Sequence, residues 1–524
     1  MKAAIIIIST AAILLSVTLL TGFTKQPNLP QNITINSTPS IRPDYADTTI
    51  PPNIAPLNFN ILTKAEKYCV IISAEKQPEI KIHSTSPQIT IPQKPWKKLL
   101  DQNTSKKLNI KIFTADTQNN WQQYQPITIN IAPETIDPFI VYRKILPSHF
   151  RFRRNGPIKI VQQNLTNYKT KNLLNTKSYK SGCVNCHSPL NCRSDKMTLG
   201  IRSSIYGTST LLIENDTIKK IKAKFGYSSW HPSGKVIAYS TNKLPRFFHS
   251  AKNEVRDTVD LNSFISYYNL ETNKIKTVPH LAEKQKLETF PAFSPDGKFL
   301  YCSLAKKPWK NTEKLPPENF DKIKYDLVRI PYDINTDTWG KPQTVLSAEK
   351  TQKSILMSRI SPDGNFLIAC FTDYGAFPAW LPSSDLYSID LNPDSDGNFQ
   401  YKKLSLNTPQ SQSWHSFSSN SRWLAYSSKQ QNGLFTRIYI AYINPDGSTR
   451  KPFVIPQKNP DFYDSHLETF SFPELSQIPA KISNHKIAAA IKSQNHINVT
   501  LPITMASPKK DKYPKTLTPY TESE

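Results

Sequence analysis

The stretch "YSSWHPSGKVIAYS", Tyr227–Ser240, decides the fold because it recurs. "FPAFSPDGKFLYCS" (Phe290–Ser303), "MSRISPDGNFLIAC" (Met357–Cys370) and "WHSFSSNSRWLAYS" (Trp414–Ser427) align with it without gaps. Each opens on an aromatic or apolar residue, passes a Ser-Pro-Asp-Gly-like turn and ends in an apolar strand closed by a small residue. Proline presets the first turn dihedral and glycine supplies the positive one, so the unit is a hairpin and not a helix. The turn positions Gly234, Gly297, Gly364 and Ser421 stand 63, 67 and 57 residues apart. Further strands, such as "DLVRIPYDI", "DLYSIDLNP" and "RIYIAYINPDG", fall between them. Radial repetition of four-stranded blades accounts for this spacing. The expectation is an all-β chain with a propeller of about six blades over residues 202–480.

Upstream, short alternating stretches such as "KYCVIISAE", "EIKIHST" and "LNIKIFTADT" predict a small immunoglobulin-like sandwich over residues 57–135. Residues 24–56, rich in Pro, Asn, Ser and Thr, read as a linker. Residues 136–201 show little periodicity and are expected to form an irregular segment between the two domains. Residues 481–524 read as a closing segment and a loose, Lys/Pro/Thr-rich tail.

Met1-Lys2 is followed by the uninterrupted apolar run Ala3 to Leu20. Residues 1–23 therefore read as a signal peptide or an N-terminal membrane anchor, and the chain as exported to the periplasm or the periplasmic face of a membrane. Formal charge is +26. No Lys/Arg run or RNA-binding signature accompanies it, so no nucleic acid is expected; the charge suits a solvated surface or an acidic partner.

"SGCVNCHSPLNC", Ser181–Cys192, holds three of the six cysteines. Cys183-Val-Asn-Cys186-His187 is the attachment pattern of c-type haem: two thiols reach the two vinyl groups, and the next imidazole meets the iron. Two other readings stay open. Cys183, Cys186, His187 and Cys192 could form a four-ligand zinc set, or two of the cysteines could be joined in a disulfide. Cys69, Cys302 and Cys370 fall in apolar strand patterns and read as buried strand residues.

The hairpin unit resembles the TolB-like propeller repeat. The order of export signal, small β domain, "CVNCHS", "SSWHPSGKVIAYS", "WHSFSSNSRWLAYSS" and "KPFVIPQKNPDFYDS" resembles an exported Bacteroidetes family that joins one Cys-x-x-Cys-His site to such a propeller. The resemblance implies one covalent haem c held by Cys183, Cys186 and His187, with His187 the proximal iron ligand. It also marks a departure: where members carry a histidine after the motif, this chain has Gly200. Candidate sixth ligands are Met197, ten residues after His187, and His231. His415, in an equivalent repeat frame, and His149 are further histidines to place.

No Gly-x-Ser-x-Gly elbow, phosphate-cradling loop or His-Glu-x-x-His pair occurs, so hydrolase chemistry is not expected and no catalytic residue is assigned. "NPDSDGN" (Asn392–Asn398) lacks the downstream Glu of a calcium loop and reads as a hairpin turn. The expected function is haem binding with electron transfer or redox or ligand sensing, the propeller docking a periplasmic or membrane-associated partner. The rival is a non-catalytic propeller scaffold that binds protein or glycan, with a structural cysteine cluster.

Overall fold

The structure is a computed structural model. It describes residues 29–500 apart from 76–78, 147–156, 181, 251–253, 282, 284 and 310–314. The proposed signal or anchor, His149 and the tail beyond residue 500 lie outside the described residues.

The chain is all-β, and its larger part is a propeller. Six sheets among the described residues form the blades. In the second to sixth, chain order is also sheet order, running outward from inner strands Cys183–Leu190, Ser228–Trp230, Lys286–Phe293, Ser354–Ile360 and Gln412–Phe417. The first blade closes the ring differently. Its three outer strands, Phe139–Ile145, Lys159–Asn164 and Thr170–Asn175, come from the front of the propeller sequence. Its inner strand, Thr469–Ser476, comes from the back, pairing Phe139 with Ser476 and Ile145 with Thr469. Pairing first and last strands removes the free edges of an open ring.

This closure corrects two expected boundaries. The propeller strands run from 139 to 476 and not from 202 to 480, and the described residues of 136–201 are largely regular. They supply three strands of the first blade and the two inner strands of the second. The alternation was hidden because Phe139–Ile145 buries a charged residue. Arg143 is 2 % exposed, donates to Ser471 Oγ and Asn185 Oδ1, and lies 4.9 Å from the Phe472 ring centroid.

The N-terminal domain has a sheet ordered Thr49–Ile50, Ile127–Ile131, Lys107–Ala115, Lys67–Ala74 and Ile80–Ser84, and a small sheet of Ile41–Arg42, Phe59–Ile61 and Gln88–Ile89. The supposed linker therefore enters this domain, with Ile41, Tyr45, Ile50 and Ile54 in its core. A helix, Gln93–Gln102, buries Trp96, Leu99 and Leu100, and Trp96 Nε1 donates to the Ile54 carbonyl at 3.0 Å. The domain is joined to the sixth blade where Asp137 accepts from Ser419 N and Oγ at 2.9 and 2.7 Å.

The closing segment carries a helix. Helix Asn484–Lys492, capped by Ser483, buries Ile487 and Ile491 against the first and second blades. Residues beyond it bridge to outer strands at Ile221–Ile497 and Lys274–Thr500.

Candidate functional site at the propeller axis

The repeat's opening residue has a specific task. Cys186, Phe290, Met357, Trp414 and Phe472 all have positive φ, between 46° and 54°. At each, strand pairing slips, as between Asn185 and Ser188 or Thr289 and Ala292. A left-handed non-glycine residue costs roughly 1–2 kcal/mol, and here it is repeated in five blades. The bulge re-aims one side chain per blade at the axis. Tyr227 holds this place in the third blade, behind Gly226, where an added Cβ would lie 2.1 Å from the Ser240 carbonyl.

These side chains plug the axis. Trp414 and Phe472 stack with centroids 3.6 Å apart, and Tyr227 meets Phe290 at 4.2 Å and Trp414 at 5.8 Å. They line a cavity of about 60 Å³ together with His187, Ser358 and His415. Arg359 and Glu474 line this cavity too, and they also line a funnel of about 350 Å³. The blade turns surround the funnel. Arg359 Nη2 donates to Glu474 Oε1 across two blades. Glu474 is buried and Arg359 is 39 % exposed. Burial raises the Glu474 pKa, and the guanidinium opposes that shift.

His187 is the residue after the bulge in its blade, as His415 is in the sixth. Its Nε2 meets the Val141 carbonyl of the adjoining blade at 3.2 Å; His415 Nε2 meets the Ile368 carbonyl at 2.9 Å. Both rings are buried. Desolvation is the main cause lowering their pKa values, to about 4 for His187 and about 3 for His415, so both are neutral near pH 7. A carbonyl partner fixes the proton on Nε2.

A covalent haem needs both thiols and the imidazole to face one porphyrin-sized slot. The residues as packed do not fit that group. Cys183 and Cys186 lie on a buried extended strand and belong to different hydrophobic clusters. Cys183 Sγ accepts from Arg202 Nη2 at 3.3 Å, while burial pushes the Cys186 thiol up to about 11. The cavity beside Cys186 and His187 is far smaller than a porphyrin. Three residues of extended strand span about 10 Å, more than the ~7 Å Cα separation a disulfide tolerates. All six cysteines are free, and among the described residues no three His, Cys, Asp or Glu side chains could together hold a metal ion.

Neither candidate sixth ligand reaches the cavity that His187 lines. Met197 pairs with Pro189 on the neighbouring strand and is buried in the cluster that holds Cys183. His231 sits in the seam between third and fourth blades. Its Nδ1 contacts Ser233 Oγ at 2.8 Å, and its ring stands edge-on to Phe293 and Tyr332. Cys69, Cys302 and Cys370 are buried strand residues. Cys192 is half-buried beside the funnel, its pKa pushed up to about 12 by burial.

Arg359 and Glu474 were missed as site residues. Arg359 was visible as the charged residue two places into its repeat, where the aligned segments have Ser or Ala. Glu474 was hidden because its "FPELS" strand has its hairpin partner far away in sequence.

No family model and no curated protein sequence matches the chain. Among solved structures it is similar to the β-propeller domain of the Trilobed protease from Pyrococcus furiosus, at 12% identity and TM-score 0.29, over 76% of this chain and 96% of that one. An oligogalacturonate lyase in complex with manganese is similar at 11% identity and TM-score 0.33, over 78% and 99%. A luciferin-regenerating enzyme is similar at 11% identity and TM-score 0.33, over 57% and 90%. These likenesses carry no chemistry to this chain, and the strand pairing described above carries the propeller assignment.

Proposed function

We propose that this chain is an exported, non-catalytic propeller module whose axial funnel holds an acidic segment of a periplasmic or membrane-associated protein partner. The observation that carries this reading is Arg359, 39 % exposed, lining a funnel of about 350 Å³ among the blade turns. One guanidinium nitrogen engages Glu474, and a guanidinium has five donors, enough to take a second carboxylate. The net charge of +26 favours an acidic partner. The apolar N-terminal run supports export. In this reading Cys183, Cys186 and His187 are structural residues of the second blade.

The test is site-specific photocrosslinking in the native cell envelope. A benzoylphenylalanine at Ser294, on the funnel wall, should give one discrete protein adduct, and one at the exposed outer-strand position Lys219 should not. Arg359→Glu should abolish the adduct. Equal labelling from both positions, or an adduct indifferent to Arg359→Glu, would remove the reading.

A further inference from the structure

The residue two places past each side chain of the axial plug sets the width of the funnel, because strand alternation turns that position to the axis again. Around the ring it holds Ser188, Ser229, Ala292, Arg359, Ser416 and Glu474. Four of the six are small, so the axis stays open at this level, and Arg359 and Glu474 bring its only charges.

Two of the hydroxyls are already oriented. Ser229 Oγ accepts from Phe293 N at 3.0 Å and Ser416 Oγ from Leu475 N at 3.3 Å, each across a blade seam. Having accepted from the backbone, each hydroxyl has its own proton to give. Both residues line the funnel. Ser416 belongs to the blade between those of Arg359 and Glu474, so a hydroxyl proton and the guanidinium N–H groups lie on one side of the funnel.

The funnel has one mouth. Its inner end is the plug of Tyr227, Phe290, Trp414 and Phe472. Beyond the plug, long strand connections roof the opposite face of the ring. Lys429 of the sixth blade reaches Glu254 of the third, the blade diametrically opposite, and Arg256 meets the same carboxylate at 2.8 Å. Arg246 and Arg256 stand 5.0 and 5.4 Å from the Trp380 ring of the fifth blade, and Tyr374 Oη donates to Asp257 at 2.7 Å. A chain that enters among the blade turns has no way through.

Resting on the funnel proposal above, we infer that the partner's acidic segment is its C-terminus, with the α-carboxylate on Arg359 and Ser416. A funnel of about 350 Å³ stands at the low end of the roughly 300–1,000 Å³ that takes one small molecule. A loop would have to enter, reverse over about four residues and leave by the same mouth. A chain end enters once. An amino terminus is cationic near pH 7 and is repelled by Arg359, whereas the two oxygens of a terminal carboxylate match a guanidinium edge.

The test maps the photocrosslink made by the full chain. The adduct from benzoylphenylalanine at Ser294 should fall within the last few residues of the captured protein. A synthetic peptide of that protein's C-terminal residues should then bind the full chain at least tenfold more tightly as the free acid than as the C-terminal amide, by fluorescence anisotropy. Arg359→Gln should bring the two within twofold. The comparison of acid with amide needs no variant, so it stands if Arg359→Gln fails to fold. An adduct in an interior acidic segment, equal affinity of acid and amide, or a preference that survives Arg359→Gln overturns the inference and leaves the funnel reading in place. The absence of a discrete adduct overturns both.

Discussion

His187 and His415 occupy the same place in two blades, each one residue past a left-handed bulge and each with Nε2 on a carbonyl of the neighbouring blade's second strand. One follows a Cys-x-x-Cys and the other follows "SQSW". A shared geometry without shared cysteines assigns the histidine to the blade seam.

His187→Ala and His415→Ala should therefore destabilise alike, by about 1–3 kcal/mol each, since each removes a buried hydrogen bond and leaves a carbonyl unsatisfied. Urea unfolding at pH 7.5 measures this. A large loss for His187 alone would break the equivalence.

The same pair sets an acid limb. Their folded pKa values, about 4 and about 3, lie below the ordinary histidine value near 6.5. The unfolded chain binds their protons first, so this stability is complete above pH ~6.5 and lost as pH falls from there toward 4. His187→Gln with His415→Gln should flatten the limb.

Asp260 and Glu288 act in the opposite sense. Burial raises them to about 6 and about 7. Glu288 is fully buried, with Oε2 accepting from Ile265 N at 2.9 Å. Their folded forms hold protons that the unfolded chain has released above pH ~4, so their contribution is lost as pH rises from 4 to 7. Glu288→Gln should raise Tm at pH 8 and change it little at pH 4.5. An equal shift at both pH values contradicts the assignment.

Gly297 has φ +75°, and an added Cβ would stand 2.3 Å from His231 Nε2. Gly297→Ala should cost more than 1 kcal/mol, from backbone strain and the clash together. Adding His231→Ala should recover the clash and not the strain, which a double-mutant cycle separates.

Exported alongside c-haem assembly machinery, the protein should stay colourless, in the oxidised and the dithionite-reduced state. Sharp reduced bands surviving denaturation would mean that Cys183–Leu190 leaves its blade. That result would return Cys183, Cys186 and His187 to the haem reading.

Much of the propeller was legible because each blade repeats one local grammar: a turn with Pro and Gly, then an apolar strand. "CHSPLNC" is the same unit in disguise, with Cys186 at the opening position and Asn191 and Cys192 in the turn at positive φ. Its turn positions hold neither Pro nor Gly, so the repeat's turn signature is absent there. The N-terminal strands before residue 57 were obscured by prolines, which suit the ends of very short strands.

By itself the sequence determined the all-β class, the blade repeat and a ring of about six blades, since hydrophobic alternation and turn chemistry act over a few residues. Only the tertiary structure decided where the ring closes, that Arg359 meets Glu474, and that Cys183 and Cys186 belong to separate cores. Those relations join residues from different blades, in one case through strands more than three hundred positions apart. Such pairings are set by the closure of the whole ring, and no local pattern encodes them.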